Sequence, residues 1–447
     1  MDNNRLKKCI LIMLDGLGDR SFDLFGHQTP LQAANTPFLD HIAAGGANGL
    51  YHAAMLGQAL PSENAHFVMF GYDMALFPGR GVLEALGAGI PLGPKDVAVL
   101  AHFACLHDAE GCLVVDERKP VISSDDVLQL IDEVSGYEAN GVKIRFVQTG
   151  GIFGIISLSG DVAPYFTDSD PFVDGSALIE ISPWSRYRND PLSENAAYAL
   201  KQYLVWVYGR LKDHPVNRFR IGNNMKPVNG FVTQRAGQLK EVRPFTDSYG
   251  LRGLSIASGI VYLGLGRYIG MDTRKVYDNT DPGDDLAERL GLAIEGLADY
   301  DFIHVHTKAP DDAGHTKDPE FKLKVIESLD KGLGKAIGPL MDDPELLIII
   351  TADHSTPSSG PLIHSGESVP MTFYGRGVRR DSVMRFNEID AAMGALGQIR
   401  GRELMYMILD HLDMSKLHGI MDTPDDQPYW PGRYRPFMLD TAPKIST

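Results

Sequence analysis

A run of apolar residues at 346–350 ends directly before a group of candidate metal ligands, Asp353, His354 and His364. A continuous apolar run of this length predicts a strand buried on both faces, as in a parallel sheet. Ligands of open α/β folds bind outside the carboxyl ends of such strands, and Asp and His are common ligands of divalent metals. The stretch therefore predicts a metal site. The plainer alternative is that Asp353 caps a helix and His354 is an ordinary loop residue.

Two other predicted strands end in the same way. Residues 9–14 are apolar and are followed by Asp15 in a glycine-containing turn, and residues 302–306 precede Asp311 and His315. Asp311 and His315 are four residues apart, which is one helical turn, so they can converge on one ion. Asp15, taken alone, is equally typical of a turn.

Ser62 is the candidate nucleophile. It follows Pro61 at a predicted helix start, where backbone N–H groups and the helix dipole favour negative charge, so the position suits a serine that attacks a phosphoryl group. The plainer explanation is that Ser62 only caps the helix. Together with the candidate Asp and His ligands, this serine suits a site in which two divalent ions share the serine oxygen. Two such ions can stabilise both the attacking and the leaving oxygen of an in-line displacement.

The alternation of predicted strands and helices indicates an α/β fold with a mostly parallel sheet and helices on both faces. An apolar run at 254–262 predicts a further strand, and the glycines after it miss the dinucleotide-binding spacing, which excludes a nucleotide fold there. Glycine and proline at 87–94, followed by short predicted strands, indicate an inserted α+β domain. We expect core segments at 1–93 and 245–418, the inserted domain at 94–244, and a C-terminal tail at 419–447.

The composition limits the partners. The 447 residues include 58 acidic and 42 basic side chains, and the net charge of −16 argues against nucleic acid or an anionic membrane surface as the main partner. The 3 cysteines form no CxxC pair, which indicates a reducing cytoplasm without a disulfide framework. We therefore expect a cytoplasmic protein that acts on a small phosphorylated substrate and spans no membrane. Homo-oligomerisation is left open.

Several motifs resemble those of the alkaline phosphatase superfamily, and most closely those of the archaeal-type 2,3-bisphosphoglycerate-independent phosphoglycerate mutases. The motifs are Leu14-Asp15-Gly16-Leu17-Gly18-Asp19, Lys308-Ala309-Pro310-Asp311, Ala313-Gly314-His315, Asp353-His354-Ser355-Thr356-Pro357 and His364-Ser365-Gly366. The resemblance extends to about residue 418. It implies an alkaline-phosphatase-like, mostly parallel sheet flanked by helices, with an inserted α+β cap domain.

The resemblance also implies a role for each matching residue. One ion would be held by Asp311, His315 and His364, and the other by Asp15, Ser62, Asp353 and His354. Ser62 would take the phosphoryl group from 3-phosphoglycerate as phosphoserine and return it to the other hydroxyl of the glycerate, which is retained under the inserted domain. Substrate-binding roles would fall on Lys308, Asp168, Asp170 and Arg235. The mixed Asp and His ligands favour manganese, with zinc, cobalt or magnesium as alternatives.

The family motifs are altered in the predicted inserted domain. Asp116-Glu117-Arg118-Lys119-Pro120 replaces an arginine-rich turn, and Ile152-Phe153 replaces a His-Arg pair. Because arginine forks bind phosphate and carboxylate groups, the second hypothesis is a phosphohydrolase, or a mutase for a different small phosphoester. The third hypothesis is a non-catalytic ligand sensor, against which the retention of the whole ligand set argues.

Overall fold

The structure is a computed structural model that describes residues 6–439. Its strands are β1 Lys8–Leu14, β2 Ala47–His52, β3 Val97–Ala109, β4 Cys112–Glu117, β5 Gly136–Ala139, β6 Val142–Gly150, β7 Phe153–Ser159, β8 Gly230–Gln238, β9 Gly253–Ala257, β10 Asp272–Lys275, β11 Phe302–Thr307, β12 Leu346–Thr351, β13 Val369–Tyr374 and β14 Gly397–Arg400. Its α-helices are α1 Pro30–Ala33, α2 Pro37–Gly45, α3 Ser62–Met69, α4 Arg80–Gly87, α5 Ser124–Val134, α6 Pro191–Leu211, α7 Pro215–Gly222, α8 Phe245–Tyr249, α9 Ile260–Tyr268, α10 Pro282–Gly296, α11 Ala309–His315, α12 Pro319–Met341, α13 Glu388–Ala391 and α14 Glu403–His411. Short 3-10 helices lie at Asp23–Phe25, Met74–Leu76 and Ser185–Tyr187.

The described residues fall into two compact units. The first unit is built from residues 6–74, 243–258 and 269–439, and the second from Ala75–Val242 and Gly259–Tyr268. The domain bounds predicted at 93, 244 and 418 stay a prediction.

Within the described residues, an eight-stranded sheet in the order β10-β9-β11-β1-β12-β13-β2-β14 forms the centre of the first unit. Neighbouring strands are parallel except at β13, which is antiparallel to both β12 and β2. Strands β1 and β12 are buried almost throughout, which explains their continuous apolar sequences. The mostly parallel α/β sheet predicted from the sequence is confirmed.

The register of the central strands brings their carboxyl ends to one edge of the sheet. Met13 of β1 lies beside Thr351 of β12, and Leu14 lies beside Thr307 of β11. The segments that follow these strands therefore leave the sheet at the same place, which is where open α/β sheets bind their ligands.

The second unit is an α+β structure around an antiparallel sheet. The strand order is β4-β3-β7-β6-β5, and β8 pairs with β3. Its core includes buried residues from the sheet, such as Phe103 and Phe231, and from α6, such as Leu200 and Tyr203. Helix α6 begins at Pro191, and the Asp190 side chain accepts a hydrogen bond from the Ser193 backbone N–H, which satisfies one of the unpaired donors of the first turn.

The strand predicted at 254–262 is wrong in its second half. The strand β9 ends at Ala257, and helix α9 begins at Ile260. Short apolar runs fit a strand and a buried helix equally well, so this sequence did not reveal the change. Residue 264, inside α9, is a glycine because a Cβ at this position would lie 1.7 Å from the Leu83 carbonyl oxygen.

The described part of the predicted tail is an irregular segment of the first unit. A β-bridge joins Ser415 to Tyr429, and the Lys416 ammonium pairs with Asp426 at 2.5 Å and with Asp422 at 3.7 Å. In the described part of the chain, no helix is both long enough and apolar enough to cross a lipid bilayer.

Candidate metal centre and nucleophile

The predicted metal ligands lie in two groups in the first unit. Among the described residues, ligand atoms of Asp311, His315 and His364 lie within 4.8 Å of one another, and so do ligand atoms of Asp15, Asp353 and His354. The rings of His354 and His364 stack with centroids 3.7 Å apart, so the two groups adjoin. Three stretches that are distant in the sequence, around Asp15, Asp311 and Asp353, are thus brought together, and their role as metal ligands stays a prediction.

Ser62 lies beside both groups. Its Oγ is 2.9 Å from Nε2 of His354, and the residue is only 6% exposed. The capping explanation for Ser62 is wrong, because Pro61 occupies the N-cap position of α3 and Ser62 is the first helical residue. The hydroxyl is therefore turned toward the ligands rather than toward the backbone of its own helix.

Thr356 links the two groups through its hydroxyl. Its Oγ1 donates to Oδ1 of Asp311 at 2.6 Å and lies 3.2 Å from Nδ1 of His354. Since that hydroxyl proton is given to Asp311, the Thr356 oxygen accepts from Nδ1–H, which leaves the lone pair on Nε2 of His354. The arrangement presents the imidazole in the tautomer that a metal requires.

Other hydrogen bonds orient the remaining ligands. Nδ1 of His364 donates to the Leu60 carbonyl at 2.9 Å, so Nε2 is the nitrogen that faces Asp311. Oδ1 of Asp353 accepts from the backbone N–H of Gly16 at 3.1 Å and of His354 at 3.0 Å, while its Oδ2 faces the site. Held this way, each side chain presents one defined atom.

The charges explain why these residues suit divalent cations. Burial first, and then the neighbouring charges of Asp353 and Asp311, raise the pKa of Asp15 to about 7. Burial also acts to raise the pKa of Asp311, but hydrogen bonds from His315 and His364 outweigh it and hold that pKa well below its usual range. Three buried carboxylates in one place repel one another, and oxygen and imidazole donors suit divalent metals. The residues therefore fit metal ions.

Two buried histidines that sequence reasoning missed support the carboxylates. Nε2 of His306 lies 2.9 Å from Oδ2 of Asp15. Nδ1 of His66 lies 3.3 Å from Oδ2 of Asp353 and 2.8 Å from the Ser62 carbonyl oxygen. A spacing signal existed for His66, which is four residues after Ser62 and thus on the same helical face. Which carboxylate each histidine meets depends on the tertiary structure.

Lys308 is the predicted substrate-binding residue of the first unit. Its Nζ lies 3.0 Å from Oδ2 of Asp311, and 37% of its side chain is exposed. Burial lowers the pKa of this ammonium, but the charges of Asp15 and Asp311 outweigh that effect and raise it. Lys308 therefore carries a positive charge at the rim of the ligand groups. Its contact with a substrate stays a prediction.

The other predicted substrate-binding residues lie in the second unit. Oδ1 of Asp168 accepts from the Arg235 backbone N–H at 2.7 Å. The Asp170 carboxylate is buried and accepts from Nε of Arg118 at 2.8 and 2.9 Å, while the guanidinium Nη2 lies 2.6 Å away. Asp170 thus holds an arginine in a bidentate pair. Substrate contacts of Asp168, Asp170 and Arg235 stay predictions.

We expect the affinity of the metal-free protein for a divalent metal to rise between pH 6 and pH 8. Asp15, with its pKa near 7, is mostly protonated at pH 6. Burial lowers the pKa of His364, but hydrogen bonding to Asp311 outweighs it and raises that pKa. Metals bind the deprotonated forms, so binding at pH 6 releases about one proton or more.

Isothermal titration calorimetry with Mn²⁺ in buffers of different ionisation enthalpy measures this proton release. A metal affinity that is the same at pH 6 and pH 8, with no proton release, would contradict the assignment of these residues as ligands.

We expect Gly16→Ala to destabilise the metal-free protein by more than about 1 kcal/mol, because an L-residue in left-handed backbone costs roughly that much before any clash. The φ of Gly16 is +66°, and a Cβ would lie 2.6 Å from Oγ1 of Thr356 and 2.7 Å from Cα of Asp311. Urea unfolding measures the loss. Gly291→Ala in α10 is the control, since nothing lies within 4 Å of its Cβ position, and we expect it to stabilise by about 0.5–1 kcal/mol. A similar effect of both changes would contradict the prediction.

Comparison with known proteins agrees with this geometry. The model of the metalloenzyme superfamily matches residues 7–411, so the chain belongs to that superfamily. A 2,3-bisphosphoglycerate-independent phosphoglycerate mutase of Methanocaldococcus jannaschii is 39% identical over 421 residues, 92% of this chain and 95% of the relative. That of Methanopyrus kandleri is 36% identical over 418 residues, 92% of this chain and 98% of the relative. The chain belongs to the family of 2,3-bisphosphoglycerate-independent phosphoglycerate mutases within the metalloenzyme superfamily.

Solved structures show the same relationship. A protein from Pyrococcus horikoshii superposes with a TM-score of 0.75 at 28% identity, over 93% of this chain and 100% of the other. A cofactor-independent phosphoglycerate mutase from Thermoplasma acidophilum superposes with a TM-score of 0.64 at 29% identity, over 91% of this chain and 100% of the other. The predicted family and fold are confirmed.

Proposed function

We propose that this protein is a metal-dependent phosphoglycerate mutase that interconverts 3-phosphoglycerate and 2-phosphoglycerate through a phosphoserine on Ser62. The observation that carries the proposal is the distance of 2.9 Å between Oγ of Ser62 and Nε2 of His354, beside two groups of metal-ligating side chains. The relatives at 39% and 36% identity carry the name of this activity over nearly their whole length, which supports the same chemistry here.

The reaction proceeds by two transfers of one phosphoryl group. Oγ of Ser62 attacks the phosphorus of 3-phosphoglycerate, a bond forms between them, and the bond from phosphorus to the C3 oxygen breaks. Ser62 loses its proton and the departing oxygen gains one. The glycerate then reorients, its C2 oxygen attacks the phosphoserine, and the proton movements reverse.

The protein residues prepare this transfer. Ser62 is the first residue of α3, where the helix dipole favours the negative charge of the transferring group. The Lys308 ammonium, 3.0 Å from Asp311, adds positive charge where charge develops. Two divalent ions, when bound, stabilise the attacking and leaving oxygens and make the serine hydroxyl more acidic.

We propose manganese as the metal, held by Asp311, His315 and His364 at one position and by Asp15, Ser62, Asp353 and His354 at the other. Mixed carboxylate and imidazole donors suit manganese, zinc and cobalt better than magnesium. A comparison of activities after loading the metal-free protein with each ion distinguishes them. The cytoplasmic location stays a prediction, as does any assembly of several chains.

The decisive experiment is to incubate the metal-loaded protein with 3-phosphoglycerate and follow both possible products. We expect 2-phosphoglycerate, detected by coupling to enolase, with little free phosphate. Free phosphate without 2-phosphoglycerate would show that the protein is a phosphohydrolase rather than a mutase. Neither product with any of the four metals would overturn the proposed substrate.

A further inference from the structure

Lys322 is a buried lysine of α12 whose ammonium lies between the two main ligand-bearing loops. The residue is 0% exposed. Its Nζ donates to the carbonyl oxygens of Gly16 and Gly18 at 2.9 Å each and of Thr356 at 2.7 Å. An ammonium has three N–H groups, so these three carbonyls take all of its donors.

The three carbonyls belong to the loops that carry the ligands of one group. Gly16 directly follows Asp15, and Thr356 stands two residues after His354. In the described chain, the strand-like pairing of these loops is limited to isolated bridges of Ser355 with Leu17, Gly18 and Ser365. The ammonium therefore ties the Asp15 loop to the His354 loop at a point next to the ligands.

Asp19 completes the arrangement with an opposite charge. Its Oδ2 lies 3.2 Å from Nζ of Lys322 and accepts from the Ser358 hydroxyl at 2.6 Å and from the Ser358 backbone N–H at 3.1 Å. Asp19 is the last residue of the motif at 14–19, and Ser358 directly follows the motif at 353–357. The hydrogen bonds between Asp19 and Ser358 therefore join the same two loops a second time. Within the described chain, the Lys322 ammonium contacts these carbonyls and Asp19 and forms no hydrogen bond to the seven proposed ligands.

We propose that Lys322 is a positioning residue of the metal centre, which sets the separation of the loops that carry Asp15 and His354 and so the geometry offered to the metal. This inference rests on the proposed function only for the presence of a metal at these ligands. It assigns no contact with substrate. Removal of a residue that orients metal ligands commonly lowers the metal affinity by about 10–100-fold. We expect Lys322→Met to lower the affinity by a factor in that range.

The test measures metal binding rather than turnover. Metal-free Lys322→Met and wild-type protein are titrated with Co²⁺, and affinity, stoichiometry and the visible absorption spectrum are recorded. We expect a 10–100-fold loss of affinity in the variant, with an altered Co²⁺ spectrum because the ligands are less well ordered. Lys324→Met, an exposed lysine on the same helix, is the matched control and should bind Co²⁺ like the wild type.

The outcomes separate this inference from the function. A Lys322→Met variant that unfolds more easily but keeps wild-type Co²⁺ affinity and spectrum would overturn the positioning role and leave the proposed function intact. Wild-type protein that binds no divalent metal would overturn both. Should Lys322→Met not fold, Asp19→Asn decides in the same assay: a loss of Co²⁺ affinity supports the role of the Lys322–Asp19 pair, and unchanged binding overturns it.

Discussion

Ser62→Ala is expected to lower the mutase rate by more than about 10⁴-fold, because loss of the nucleophile of a covalent mechanism removes the whole pathway. The fold should be retained. The change removes one hydrogen bond, between Oγ and His354, which contributes about 1 kcal/mol to stability. The measurements are the rate of 2-phosphoglycerate formation and the stability toward urea. Mass spectrometry of acid-quenched wild-type reactions should show a phosphate on Ser62 that the variant lacks.

Ser193→Ala is the matched control for the serine change. Ser193 is also buried and also lies in the first turn of a helix, α6 in the second unit. We expect it to affect stability but not the chemistry at Ser62. Full activity of Ser62→Ala would contradict the covalent mechanism. An equal loss of rate in Ser62→Ala and Ser193→Ala would show that the loss is not specific to the proposed nucleophile.

His364→Ala is expected to weaken metal binding by at least about 100-fold. Loss of a residue that only hydrogen-bonds to a metal ligand can already lower the affinity by about that factor, and His364 is proposed as a ligand itself. The stability of the metal-free protein should change far less, by about 1 kcal/mol. The side chain is 12% exposed, and its polar contacts are the hydrogen bond to the Leu60 carbonyl and a longer one to Asp311 at 3.5 Å, each of which contributes about 1 kcal/mol or less. Metal content after desalting, measured by plasma mass spectrometry, and thermal unfolding of the metal-free protein provide the two readouts.

The control for this change is His41→Ala on α2, where the histidine is exposed. It should leave both metal content and thermal unfolding close to the wild type. Unchanged metal content in His364→Ala would remove His364 from the ligand set. A large loss of stability without metal would instead give it a structural role.

Much of this site could be predicted from the sequence because its residues stand in recognisable places along the chain. Asp15 and Asp353 closely follow apolar strands, and the register of β1 with β11 and β12 brings those strand ends together. Asp311 and His315 are one helical turn apart in α11. These relationships are local, so a pattern of apolar runs and polar side chains was enough to reveal them.

The supporting groups could not be predicted in the same way. The contacts of Lys322 with Gly16 and Thr356 join residues 306 and 34 positions apart, and no local pattern marks a lysine inside an amphipathic helix as a partner of distant carbonyls. The change from β9 to α9 was missed for a different reason, because an apolar run of that length is compatible with both structures.

The amino-acid sequence alone determined the α/β class of the protein, and it indicated the side chains that we propose as metal ligands and as nucleophile. It could do so because strand burial and helix starts depend on short-range patterns of apolar and polar residues. The tertiary structure alone decided which loops meet, which nitrogen of His354 and of His364 faces the site, and where the Lys322 ammonium lies. Those features depend on distances between segments far apart in the chain, which only the packed sheet and helices set.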